Sequence, residues 1–183
     1  MIDSKQASAA LSDIDDVVRR VRQSRIYQIA SLIVVMWGAL LFVTYIANYL
    51  WPRQGYAIWT ASNLLGLAVS TAMGFLINIR SGVGNFPIRS LITFVLIAAF
   101  GAYCAIRLGH FSPRQMTVFF ALYGMLFYAI AGVWFGYAFI VIAFCTTALT
   151  LIAYHYAGSA FLLWMAVAHG GGLIVGGLWM RRI

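Results

Sequence analysis

An all-α integral membrane protein is the fold class this sequence predicts, with six transmembrane helices in one bundle and a cytoplasmic amphipathic N-terminal helix. Three observations predict it. No acidic side chain follows Asp16, and the stretch 115–180 holds no Asp, Glu, Lys or Arg. Hydrophobic residues make up 63% of the chain and charged residues 9%, whereas soluble domains average roughly 45–50% apolar and about 25% charged. Long apolar runs recur six times, and the basic residues fall mainly at the breaks between them. A charge at the bilayer centre costs about 2.5–3.5 kcal/mol or more, so a lipid solvent explains all three.

The first 25 residues form the first unit. Ala7, Leu11, Ile14, Val18 and Val21 recur at alternating spacings of four and three, which is one apolar stripe on a helix. Asp15 and Asp16 precede Arg19 and Arg20 by four residues, the favourable order for ion pairs, and acids early with bases late suit the helix dipole. A helix over 7–25 follows, running into the first span or bending before it. Leu11, Ile14, Val18, Val21, Arg19, Arg20, Arg22 and Arg25 are its candidate partner-binding or lipid-binding residues. Arginines here sit at the level of anionic headgroups on the inner leaflet, and the apolar stripe suits a docking helix or short coiled coil. The segment lacks the apolar core and small-residue cleavage site of a signal peptide, so the first apolar run is expected to stay as an anchor.

The second unit, 26–183, is the transmembrane domain. Its apolar segments are 26–50, 56–79, 87–106, 115–133, 136–156 and 159–179. Each is long enough to cross about 30 Å of hydrocarbon at 1.5 Å per residue. The fourth and fifth run almost together and are divided at Gly132–Gly136, where two glycines permit a tight turn and Trp134, Phe135 and Tyr137 suit an interface. Pro52-Arg53-Gln54 and Pro113-Arg114-Gln115 open the second and fourth spans, with proline in its preferred first-turn position and arginine able to reach the interface. With six spans both termini share one side. That side holds nine basic residues (Lys5, Arg19, Arg20, Arg22, Arg25, Arg80, Arg89, Arg181, Arg182), against Arg53, Arg107 and Arg114 on the other. The asymmetry places both termini in the cytoplasm, in a plasma membrane of bacterial inner-membrane type.

Small residues four apart on the second span, Ser62, Gly66, Ser70 and Gly74, make a groove for close helix approach. Gly172 and Gly176 repeat the device on the sixth span. His169 falls near the middle of that span, next to Gly170-Gly171-Gly172, and a midplane histidine is a ligand or pathway candidate. Asn63, Arg107, Thr146 and Thr150 join it as polar candidates. A packed, neutral imidazole bonded to a neighbour is the plainer reading of His169. His155 lies roughly 15 Å away in depth, so a bis-histidine haem within one chain is not expected.

What is missing excludes most chemistry. There is no carboxylate pair for acid–base catalysis, and no metalloprotease, nucleophile-elbow or nucleotide-binding motif. Cys104 and Cys145 lie singly in apolar runs, so neither disulfide nor metal site is implied. The net charge of +8 does not form a face, so nucleic acid is not a partner. No enzyme activity, cofactor or metal is expected. The sequence points first to an accessory, sensor or regulatory membrane protein that engages a cytoplasmic partner or sister subunit through its N-terminal helix, and to a homo-oligomer. The alternative is a small transporter or channel for a neutral, hydrophobic or anionic solute, with His169 and the glycine run at the pathway.

Overall fold

The computed structural model describes residues 4–81 and 88–183, and before Tyr27 it describes the side chains of Ile14, Val17, Val21 and Ser24. The described residues are all-helical, with no strand. Helix α1 (Ser4–Leu50) runs unbroken through residue 25, where the two sequence units meet. A 3-10 turn, Pro52–Gln54, leads into α2 (Gly55–Ser81). Helix α3 (Ile88–Tyr103) ends in a wide π-helical turn, Cys104–Leu108. Then come α4 (Pro113–Phe135) and α5 (Tyr137–Tyr156). After a 3-10 turn at Gly158–Ala160, helix α6 occupies 161–180, with a π-helical turn at Ala166–Gly171 inside it.

Five of these helices are long and apolar enough to cross a membrane: Tyr27–Leu50, Pro52–Leu76, Pro113–Phe135, Tyr137–Tyr156 and Gly158–Met180. The third expected span corresponds to α3, which contributes the shorter apolar stretch Val95–Leu108. The side chains of Leu11, Val18, Arg19, Arg20, Arg22 and Arg25 lie outside the described residues, as does the segment 82–87.

Local chemistry sets the helix ends. Ser112 caps α4 through a reciprocal box: its hydroxyl accepts from the Gln115 N–H, and the Gln115 side chain accepts from the Ser112 N–H at 2.9 Å. Pro113 fills the first turn, where no N–H is needed. Between α4 and α5 the chain reverses at Gly136, whose φ of 131° favours glycine. Gly132 makes the reversal tight, since a Cβ there would stand 2.9 Å from the Ile140 nitrogen.

Each helix packs beside the next in the order α2, α1, α6, α5, α4, α3. Lipid supplies no hydrophobic drive between helices, so these contacts depend on close fit and hydrogen bonds. Helices α1 and α6 meet backbone to backbone. A Cβ on Gly38 would lie 2.8 Å from the Gly170 oxygen and the Ile174 nitrogen, and one on Gly170 would lie 2.7 Å from the Phe42 Cα. Gly177 meets Val35 and the Ser31 oxygen in the same way. The contacts descend α1 as they ascend α6, so the pair is antiparallel. On α2, Ser62, Gly66 and Ser70 face α1. Thr44 shares a 2.7 Å hydrogen bond with Ser62, Trp37 Nε1 donates to Ser70 at 2.9 Å, and the Trp37 ring lies on Gly66. Gly176 receives Ile142 of α5. From Phe111 in the loop before α4, the rings of Phe111, Phe119, Tyr123 and Phe127 follow one another at 5.3–5.6 Å, and Tyr123 donates to the Ile97 carbonyl of α3 at 2.7 Å. The buried core lies among α1, α4, α5 and α6, in one cluster around Phe139 and Leu173 and another around Tyr45 and Met165.

Two glycines of opposite surroundings test the α1–α6 contact. Gly38→Ala is expected to destabilise the purified protein by about 1–3 kcal/mol, because neither backbone can yield to an added methyl without separating the helices. Gly124→Ala, which has nothing within 4 Å of an added Cβ, is expected to leave stability unchanged or raise it. Equilibrium unfolding in mixed micelles measures both.

Candidate functional site

The run Ala166-Val-Ala-His-Gly-Gly departs from α-helical pairing. The Gly172 N–H reaches the Val167 carbonyl five residues back, as well as that of His169. One extra residue in the turn re-aims the side chains on either side of it, and such π-turns are frequent at functional sites. Glycines 170–172 remove the side chains that would resist the widened turn, and Gly170 also lets α1 approach.

The re-aimed residue is His169, which is 5% exposed. Its Nδ1 lies 2.9 Å from the hydroxyl of Tyr45, a residue 124 positions earlier and 1% exposed. The hydroxyl donates when Nδ1 is bare and accepts when Nδ1 carries the proton. The Tyr45 ring in turn meets Trp59 of α2 edge-on at 5.2 Å. One chain of contacts, Trp59–Tyr45–His169, therefore ties α2, α1 and α6 together. Beside it Thr44 donates to the Leu40 carbonyl and bonds Ser62, fixing the same turn of α1.

Thr146 and Thr150 are buried on α5, which packs on the wide turn. A Cβ on Gly172 would stand 3.5 Å from the Thr146 hydroxyl. The Thr150 hydroxyl is buried and has no partner among the described residues, the kind of group that costs stability in an apolar interior. Two sequence candidates fall elsewhere. Asn63 is exposed on α2, with Nδ2 donating to the Trp59 carbonyl at 2.8 Å. Arg107 is exposed in the turn after α3. Among the described residues, no contact joins either to His169. A groove of about 380 Å³ lies on the outer side of α5 and α6, lined by Leu149, Ala160, Leu163, Trp164, Val167 and Ala168. Its lining is apolar and suits hydrocarbon rather than an ion. Among the described residues no three His, Cys, Asp or Glu side chains cluster as a metal site.

Arg114, expected only to reach the interface, also has a structural role. Its guanidinium turns onto the end of α5, donating to the carbonyls of Tyr154 (2.7 Å), Ala153 (3.2 Å) and Gly158 (3.3 Å). It also stands 4.7 Å over the Phe161 ring. Carbonyls at the C-terminal end of a helix carry partial negative charge, so a cation there is favourable. The available signal was a basic residue at the start of one helix in a chain that offers it no acid.

No protein-family model, curated protein or solved structure matches this chain.

Two substitutions probe this architecture. Tyr45→Phe deletes the partner of a buried ring nitrogen and is expected to cost about 1–3 kcal/mol. Adding His169→Leu to it should cost less than the two single effects summed, a coupling read from a double-mutant unfolding cycle. Arg114→Leu is expected to loosen the end of α5, so that exchange of the Ala157 amide, now bonded to the Ala153 carbonyl at 3.1 Å, accelerates. Hydrogen exchange read by mass spectrometry on peptides covering 153–161 checks this.

Proposed function

We propose that this chain is a six-span, non-enzymatic accessory or regulatory protein of a bacterial-type inner membrane, with both termini cytoplasmic. It engages a partner through the helical arm that precedes its first span. The observation that carries this reading is the unbroken course of α1 from Ser4 to Leu50. Its apolar span starts at Tyr27, so the helix extends about 35 Å beyond it at 1.5 Å per residue. Ile14, Val17 and Val21 are each nearly 60% exposed on that extension. A rigid helix that leaves the bilayer with apolar side chains uncovered has the form of a docking element. The arginines at 19, 20, 22 and 25 adjoin the membrane end of the arm, where anionic headgroups hold it in position. The interior favours this reading as well, since His169 is occupied by Tyr45 within a packed turn.

A small transporter or channel is the second reading. The π-turn beside the glycine run and the unpaired Thr150 hydroxyl favour it. The two readings separate in one experiment on the full-length protein in membranes. Removing residues 1–22, or introducing Ile14→Asp with Val21→Asp, is expected to abolish recovery of the specific cytoplasmic partner while the transmembrane domain stays inserted and folded. Equal recovery with and without the arm defeats the accessory reading. Solute flux into proteoliposomes that is lost in His169→Leu supports the transporter instead.

A further inference from the structure

Helix α2 is the least enclosed of the spans, with 6% of its apolar window buried. Its contact with α1 uses the side carrying Ser62, Gly66 and Ser70. A different stripe, Tyr56, Thr60, Asn63, Leu67 and Thr71, recurs at spacings of three and four, and all five residues are exposed. Hydrocarbon accepts Leu67. It also accepts the two threonines, because each hydroxyl donates to its own helix, Thr60 to the Tyr56 carbonyl and Thr71 to the Leu67 carbonyl, both at 2.8 Å. Asn63 differs. It lies at the middle of the 25-residue span Pro52–Leu76. One N–H of its carboxamide is bonded to the Trp59 carbonyl. The other N–H and the carboxamide oxygen have no partner among the described residues. Lipid tails offer neither donor nor acceptor, so an outward amide at this depth requires protein opposite it.

We propose that the stripe 56–71 of α2 is the interface between two copies of this chain, with the Asn63 carboxamides hydrogen-bonded to each other across a two-fold axis along the membrane normal. Copies inserted in one orientation present parallel α2 helices, so position 63 of each stands at the same depth. A carboxamide both donates and accepts, which makes it complementary to itself, as a two-fold interface requires. Thr60 and Thr71 keep the flanks small enough for close approach, and Leu67 packs between the helices. The interface rests on α2 alone and is independent of the N-terminal arm.

Disulfide trapping in native membranes tests it. In the full-length chain carrying Cys104→Ala and Cys145→Ala, a single cysteine is introduced as Leu67→Cys on the stripe or as Leu65→Cys on the far side at nearly the same depth. Oxidation is expected to give a species of twice the chain mass from Leu67→Cys and little from Leu65→Cys. Adding Asn63→Leu, which leaves the span fully apolar and able to insert, should lower the trapped fraction about five-fold or more. Asn63→Gln should retain most of it. Equal trapping at both positions, trapping indifferent to Asn63→Leu, or capture of Leu67→Cys only by a different protein overturns the proposal.

Discussion

The backbone contact between α1 and α6 is the constraint on which the rest depends. Where the solvent is hydrocarbon, burying another leucine gains little, and helices associate through the closeness of their fit. Gly38 and Gly170 bring the two backbones so near that no side chain fits between them. Tyr45 stands three residues beyond Phe42, and His169 adjoins Gly170. The 2.9 Å bond between them is therefore a consequence of that approach. Separation by one carbon–carbon bond length, about 1.5 Å, would carry it past the range of a hydrogen bond. The widened turn in α6 serves the same contact, since the residue it inserts turns His169 inward while keeping glycine against α1.

From this seam the remaining helices attach in sequence. Helix α1 gives one side to α6 and another to α2, so the first span bridges the core and the periphery. Polar groups along the way are mostly satisfied within their own helix. Thr44, Thr60, Thr71 and Thr117 each donate to the carbonyl four residues back, and Asn63 does so with one N–H. Such local bonding is what a lipid environment demands, and it removes these groups from any continuous polar route. Thr150 departs from the pattern, with a buried hydroxyl that finds no acceptor, and it does so on the helix that packs against the π-turn. Thr150 thus stands beside the π-turn, while the other buried polar atom without a partner among the described residues, Arg114 Nε, lies at the end of α5.

Five of the spans were legible in the sequence because a change of solvent is written in composition: apolar runs, basic breaks, and glycines at 132 and 136 where one run is too long. Ser62, Gly66 and Ser70 of the small-residue groove on α2 were legible because spacing alone announces them. What faces what was not. In water, an amphipathic helix shows its buried side by contrast with its wet side. Between lipid and a lipid-like core that contrast vanishes, and periodicity no longer assigns faces. Hence Gly38, isolated in its span, gave no sign of meeting Gly170, and Tyr45 gave none of reaching His169. The seven-residue spacing shared by Ser31 with Gly38 and by Gly170 with Gly177 was the one available trace of the seam, and it is weak among 17 glycines. The π-turn left no signature beyond the glycine run.

The absence of carboxylates after Asp16 has one further structural consequence. A buried or half-buried cation ordinarily finds an acid, and here none exists beyond the first helix. Arg114 resolves the difficulty with the carbonyls at the end of α5 and the face of Phe161, so the anion is supplied by the backbone and an aromatic ring. That solution binds the start of α4 to the loop between α5 and α6, and so closes that end of the core. Arg53 and Arg107 are exposed beside helix ends, where a long basic side chain can reach outward on its apolar stem. The protein thus divides these three arginines by burial: half-buried Arg114 is met by its own fold, whereas Arg53 and Arg107 stand exposed.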